Sequence, residues 1–212
     1  MSALALAPGN ALAFFEVVGK LKTLKRTGWV NHGIPQPESV ADHMYRMSML
    51  GFLITDAGVD KSALIKICLL HDLAEATVGD ITPFCGVSKE EKRRLEEAAL
   101  RKMLDDLGHE ELAEELMGYW MQYEESSSLT ATVARELDKF EMIVQANEYE
   151  LAHPEKRLDS FFASTEGYFH HPEVAAWDAE LRKTRALRVQ ERDKAAAAAA
   201  AATAAAGGGG GD

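Results

Sequence analysis

The groups best suited to chemistry lie in Leu69-Leu70-His71-Asp72-Leu73-Ala74-Glu75. A histidine and an aspartate stand side by side in a segment whose helical spacing marks it for burial. Charged groups are rarely buried without a partner. On a helix, Glu75 follows Asp72 by three residues and His71 by four, so all three can share one side. Imidazole with carboxylate is a ligand set for divalent transition metals. The dipeptide alone carries little weight, because chance produces such pairs often. The competing assignment is a His71 hydrogen-bonded inside the core and an Asp72 paired with a lysine or arginine, since structural ion pairs imitate sites.

A second cluster is Glu38-Ser39-Val40-Ala41-Asp42-His43, with Arg46 one turn further. His43 neighbours Met44 and Met47, so its face borders the core, where a lone histidine is commonly a satisfied core residue. Two separated histidines with a carboxylate make a stronger case, because helical bundles build metal sites from facing helices. Glu38 and Ser39 sit at a helix start, where capping is their ordinary role. A third candidate, Asp138 in Glu136-Leu137-Asp138-Lys139-Phe140, follows a core leucine and could dip toward the interior or pair with a neighbouring lysine; periodicity alone places it at the surface.

The elements that must position these groups read as helices throughout, and no segment alternates as a strand. The first covers about residues 11 to 24, with Phe14, Val18 and Leu21 inward. Lys25 to Gln36, with two glycines and a proline, reads as a loop. A second helix opens near Pro37 and stops before Gly58, with Val40, Met44 and Met47 inward. Asp60 caps a third, which runs to about Gly79 and is apolar almost all round, so it should be the central one. Ser88 and Glu91 suit a capping box opening a fourth, which ends at Gly108. A fifth runs from about 109 to 124 before Ser126-Ser127-Ser128. A sixth reaches about His153, and one or two shorter helices end near Arg192. The expected architecture is all-α: one helical bundle over residues 10–192, then a disordered Ala/Gly-rich tail over 193–212.

A chain of 212 residues suits one well-buried domain. The formal net charge of -11 and the lack of a basic stripe argue against a nucleic-acid polymer as partner, though not against a small phosphorylated molecule beside a metal. Cys68 and Cys85 show no CxxC spacing and suit reduced thiols. No apolar run reaches the roughly 18 residues of a membrane span. The apolar stretch Met1 to Phe15 lacks a basic start and holds Pro8-Gly9-Asn10, unlike a signal peptide. A cytoplasmic protein is expected.

Taken together, "PESVADHMYR", "LLHDLAEATVGDI" and "LDKFEMIVQANEYE" resemble the HD-domain superfamily of phosphohydrolases. More narrowly they resemble its HD-domain-containing protein 2 group of 5′-deoxynucleotidases, from about Phe14 to His171. The resemblance implies a helical HD domain with His43, His71, Asp72 and Asp138 as ligands of a divalent metal (manganese, cobalt or magnesium), overriding the surface reading of Asp138. It makes Glu75 the catalytic acid/base and Asp80 a contact of the sugar 3′-hydroxyl. In some members of the group the equivalents of Glu75, Asp80 and the Ile81 carbonyl hold a second metal instead. Bacterial relatives carry an arginine directly before a tryptophan, for phosphate and for crowding a 2′-hydroxyl. Here Gly28 precedes Trp29, and the nearest arginine is Arg26, with Arg46 and Lys25 as competing cations. Trp29 reads equally as a loop aromatic covering the core edge. The resemblance also suggests a homodimer.

The implied reaction is hydrolysis of a deoxynucleoside 5′-monophosphate to a deoxynucleoside and phosphate, with metal-assisted activation of water. Alternatives are another phosphohydrolase of the superfamily, acting on a phosphodiester, a nucleoside triphosphate or an alarmone, and a non-enzymatic helical protein with a structural metal.

Overall fold

Helix after helix packs through residues 6–207, the part of the chain that the computed structural model describes. The expected all-α class holds. Among the described residues the sole β feature is an isolated antiparallel bridge between Lys25 and Ser39. The chain divides into two units, Met1–Gln145 and Ala146–Asp212. No described helix is long and apolar enough to cross a membrane.

The first unit opens with α1, Pro8–Gly19, which has proline in its first turn and tightens into a 3-10 turn at Lys20–Lys22. The segment expected as a loop contains a short helix, α2, Thr27–Asn31. Two backbone hydrogen bonds, Arg26 N to Glu38 O (3.2 Å) and Val40 N to Leu24 O (2.9 Å), clamp the ends of this segment together. They bring Arg26 to the start of α3, Val40–Leu53. That helix begins later than Pro37 because Ser39 and Asp42 form a reciprocal capping box: each side chain accepts from the other's backbone N–H, at 3.1 and 2.8 Å. The box fixes the first turn, and His43 stands one residue beyond it.

Asp60 caps α4, Lys61–Leu70, as expected. The helix then breaks instead of running to Gly79. Bonds from Leu73 N to Leu70 O and from Glu75 N to Asp72 O, both 3.0 Å, wind residues 71–74 as tight i to i+3 turns before α5, Glu75–Val78. Leu73 and Ala74 hold this turn to a core cluster with Leu21, Val40, Met44, Leu100, Leu104 and Trp120. Gly79 ends α5 at φ +80°, a conformation glycine adopts without strain. Ser88 opens α6, Lys89–Leu107, by accepting from Glu91 N, but the Glu91 carboxylate turns to Arg94, so the expected box is half made. Helix α7, Glu110–Glu125, follows, and Ser126 in the left-handed region stops it.

The most deeply buried helix is α8, Leu129–Ala152, and not α4, whose Leu69 and Lys66 face solvent. Ala131, Val133, Ala134, Leu137, Phe140 and Ile143 line it, and between them lie Glu136, Asp138, Glu141 and Gln145, all buried.

In the second unit the end of α8 joins α9, Asp159–Ser164, and α10, Pro172–Gly207. Buried Glu150 accepts from Arg185 Nε and NH2 (2.8 and 2.7 Å) and from Leu158 N (2.9 Å). Instead of shorter helices ending near Arg192, α10 is continuous, and the segment expected to be disordered is helical as far as Gly207. Alanine is the best helix former, and extending a helix avoids the cost of nucleation, so the run needs no docking face. The remaining expectations for residues 1–5 and 208–212 lie outside the described residues.

Replacing Ser39 with alanine should remove about 1 kcal/mol of stability. Thermal melting should then drop by about 2–4 °C; an unchanged midpoint would show that the box does not hold α3.

Candidate metal centre

Four elements converge on one buried point: the start of α3, the turn after α4, the α2 segment and the middle of α8. His43 is fully buried, and its Nδ1 lies 2.5 Å from Oε2 of Glu141. Nδ1 of His71 lies 2.9 Å from the Cys68 carbonyl oxygen, which can only accept. Each of these partners calls for a proton on Nδ1, which leaves Nε2 as the lone-pair nitrogen. Both Nε2 atoms are buried and lack a hydrogen-bond partner. Two buried ring nitrogens without a partner are costly unless something, a proton or a metal, occupies them.

The carboxylates complete the arrangement. Oδ1 of Asp138 is 3.3 Å from Nε2 of His43, close but without hydrogen-bond geometry. Ligand atoms of His43, His71 and Asp138 all lie within 4.8 Å of one another. Oδ2 of Asp72 stands 3.1 Å from Nε2 of His71 and 3.9 Å from that of His43, while Arg26 NH1 contacts it at 3.3 Å. Imidazole nitrogens with their protons fixed on the far side, beside carboxylate oxygens, fit a divalent transition metal in both chemistry and spacing.

Electrostatics agree with that fit. Burial and Arg26 oppose a charge on His43, yet Glu141 and Asp138 push it up to about 9. Burial would raise Asp72 and Asp138; instead His71 and Arg26 hold Asp72 below its usual range, and Lys139 and His43 hold Asp138 well below it. Glu75 goes the other way, pushed well up by burial and by Asp72 and Asp80. The pocket is thus rich in negative charge, which a cation would relieve.

The other anticipated residues fall as follows. Glu75 is buried near this cluster on α5. The Asp80 carboxylate accepts from Thr27 N at 2.6 Å, and Thr27 Oγ1 donates to the Asp80 carbonyl at 2.8 Å, tying that residue to the Arg26 segment. No hydrogen bond among the described residues links Asp80 or Ile81 to the histidines. Trp29 is 1% exposed and donates its indole N–H to Glu38 at 2.8 Å, so Glu38 serves the tryptophan where a helix cap was expected. Arg46 donates Nε to Glu141 and NH2 to Gln145, both at 2.7 Å. Lys25 is exposed, with its charge acting on Asp42.

Sequence reasoning passed over Glu141 and Tyr123, while the pairing of Asp138 with its neighbouring lysine is met by Lys139. Tyr123 OH and Lys139 Nζ each donate to Oδ2 of Asp138 at 2.8 Å, leaving Oδ1 toward the histidines. The Tyr123 ring also packs on that of His71, centroids 4.8 Å apart. A signal did exist: Asp138, Glu141 and Gln145 recur at helical spacing beside the apolar positions Leu137, Phe140 and Val144 of α8.

An all-helical unit that brings two imidazoles and the Asp138 carboxylate together at one buried point, with Asp72 beside them, has the character of a metal-binding all-α protein. The family model described as HD domain matches residues 18–176, and the chain belongs to that family. It is similar to the 5′-deoxynucleotidase HDDC2 of Danio rerio, 49% identical over 184 residues that cover 85% of this chain and 90% of the relative. Its similarity to the protein of the same name from Homo sapiens is 44% over 181 residues, 85% and 88% of the two chains. Among solved structures, the HD domain-containing protein YGK1 shares 31% identity at a TM-score of 0.67, over 85% of this chain and 87% of that one. A conserved hypothetical protein from Pyrococcus furiosus shares 29% at 0.69, over 81% and 99%.

Replacing Glu141 with alanine frees the His43 ring and should weaken divalent-metal binding about 10- to 100-fold. Calorimetric titration of the metal-free protein reads this directly, and an unaltered Kd would remove Glu141 from the centre.

Proposed function

We infer that this chain is a metal-dependent 5′-deoxynucleotidase, releasing phosphate from 2′-deoxynucleoside 5′-monophosphates. The observation that carries the reading is the pair of buried, partnerless Nε2 atoms beside Asp138 and Asp72, with Glu75 and Arg26 adjacent. The names of the Danio rerio and Homo sapiens relatives support the substrate class.

His43, His71, Asp72 and Asp138 would hold the metal, with manganese, cobalt or magnesium the cations proposed. When bound, it supplies Lewis acidity for activating water and offsetting phosphate charge. Arg26 grips the phosphate oxygens with its planar fork. Glu75 orients the attacking water and takes up its proton. Asp80 is assigned to the sugar 3′-hydroxyl and Trp29 to crowding the 2′ position. The use of Glu75, Asp80 and the Ile81 carbonyl to hold a second metal is the variant of this scheme. The proposed catalytic domain spans about residues 10–192, acting as a homodimer; the free thiols of Cys68 and Cys85 suit the reducing cytoplasm.

Chelated protein given individual metals should release phosphate from deoxy 5′-monophosphates in preference to ribo ones. Equal rates on both would keep the phosphatase and remove Trp29 as a sugar gate, whereas no release with any metal would overturn the activity. His71→Ala and Asp72→Ala should each abolish turnover in folded protein, and normal turnover in either would sink the metal assignment.

A further inference from the structure

Glu75 is oddly held for a residue given a precise task. Its side chain is nearly fully buried, its Oε2 has no hydrogen-bond partner, and no side chain among the described residues donates a hydrogen bond to its carboxylate. Burial and the charges of Asp72 and Asp80 all act against a carboxylate there. One ion pair reaches it: Nζ of Lys92, on α6, lies 4.0 Å from Oε1. Helix α6 packs on α5, which makes that approach possible.

Lys92 is itself anchored. Glu96, one turn on along α6, places Oε1 3.3 Å from the same ammonium. Glu96 is 6% exposed, and a carboxylate buried on an amphipathic helix needs a reason. Its sole ion-pair partner among the described residues is Lys92. Lysine has a flexible stem with four rotatable carbons, and a free one would turn to solvent. The buried carboxylate prevents that and keeps the ammonium directed at α5.

We propose that Lys92, braced by Glu96, is a positioning residue that fixes the Glu75 carboxylate in the catalytic site. Glu96, Lys92 and Glu75 form a strut of alternating charge from α6 to the reaction centre. Among the described residues Lys92 makes no ion pair with His43, His71, Asp72 or Asp138, and although its charge also acts on Asp72, its direct contact toward the site is with Glu75. The inference rests on the deoxynucleotidase reading for the role of Glu75, but the geometry of the strut can be tested without it.

The experiment compares Lys92→Met/Glu96→Gln, which removes both charges and leaves neither stranded, with Lys92→Arg. Phosphate release from a deoxynucleoside 5′-monophosphate, metal affinity by calorimetry and the crystal structure of each metal-free protein are measured. In the double variant kcat should fall about 10- to 100-fold, the loss expected when a catalytic group is misplaced by about 1 Å. KM and metal Kd should stay within about threefold, Glu75 should occupy a different rotamer, and Lys92→Arg should restore most of kcat. An unchanged kcat, or a raised KM with kcat intact, would overturn the proposal. If wild-type protein released no phosphate with any metal, the activity reading would fail and crystallography alone would decide. A displaced Glu75 in the double variant would then support the strut, and an unmoved one would refute it.

Discussion

Everything in the first unit answers to one electrostatic constraint: Asp138, Glu141 and Glu75 are buried, with Asp72 partly buried beside them, close together in a helical core. Carboxylates out of water repel one another and lose hydration, and they persist only where partners compensate. The partners come from every side. Arg26 meets Asp72, Arg46 meets Glu141, Lys139 and Tyr123 meet Asp138, and Lys92 meets Glu75. Even so an excess remains, and Glu141 and Asp138 raise His43 to about 9 against the opposing effects of burial and Arg26. A divalent cation bound to the Nε2 atoms would take over that compensation while the Nδ1–H groups go on donating to Glu141 and to the Cys68 carbonyl.

Local structure is bent to serve this cluster. An uninterrupted α4 would carry Glu75 a full 3.6-residue turn past His71. The tight 71–74 turn shortens that step and stacks residues three apart, which brings Asp72 and Glu75 toward one side. The core cannot let this turn relax, since Leu73 and Ala74 are packed within it. The capping box at Ser39 and the bridge from Lys25 do the same for His43 and Arg26, fixing where α3 starts and where the α2 segment returns.

Much of this was legible in the residues. Helical periodicity, the Asp60 cap, the stop at Ser126 and the buried faces of α3 and α6 follow from pattern and punctuation. Asp138 was not legible, because the residues that bury it come from α7 and from its own neighbour, and periodicity describes one helix at a time. The break at His71 escaped for a related reason: apolar spacing continues across it, and tertiary packing, not propensity, winds the turn. The short α2 was hidden by glycines, which mark where a chain can turn without saying that it must.

What each cation already holds favours Arg26 as the proposed phosphate ligand. Arg46 gives Nε and NH2 to Glu141 and Gln145, so drawing it toward a substrate would loosen the Glu141 carboxylate that orients His43. Lys25 is exposed and faces Asp42. Arg26 gives NH1 to Asp72, at 3.3 Å, the long end of a hydrogen bond, and among the described residues the rest of its planar fork has no hydrogen-bond partner. It can therefore bind an anion beside Asp72 without dismantling the histidine pair. A glycine between that arginine and the tryptophan does not disqualify it, because the clamp from Arg26 N to Glu38 O sets the position of the guanidinium, not its distance from Trp29 along the chain.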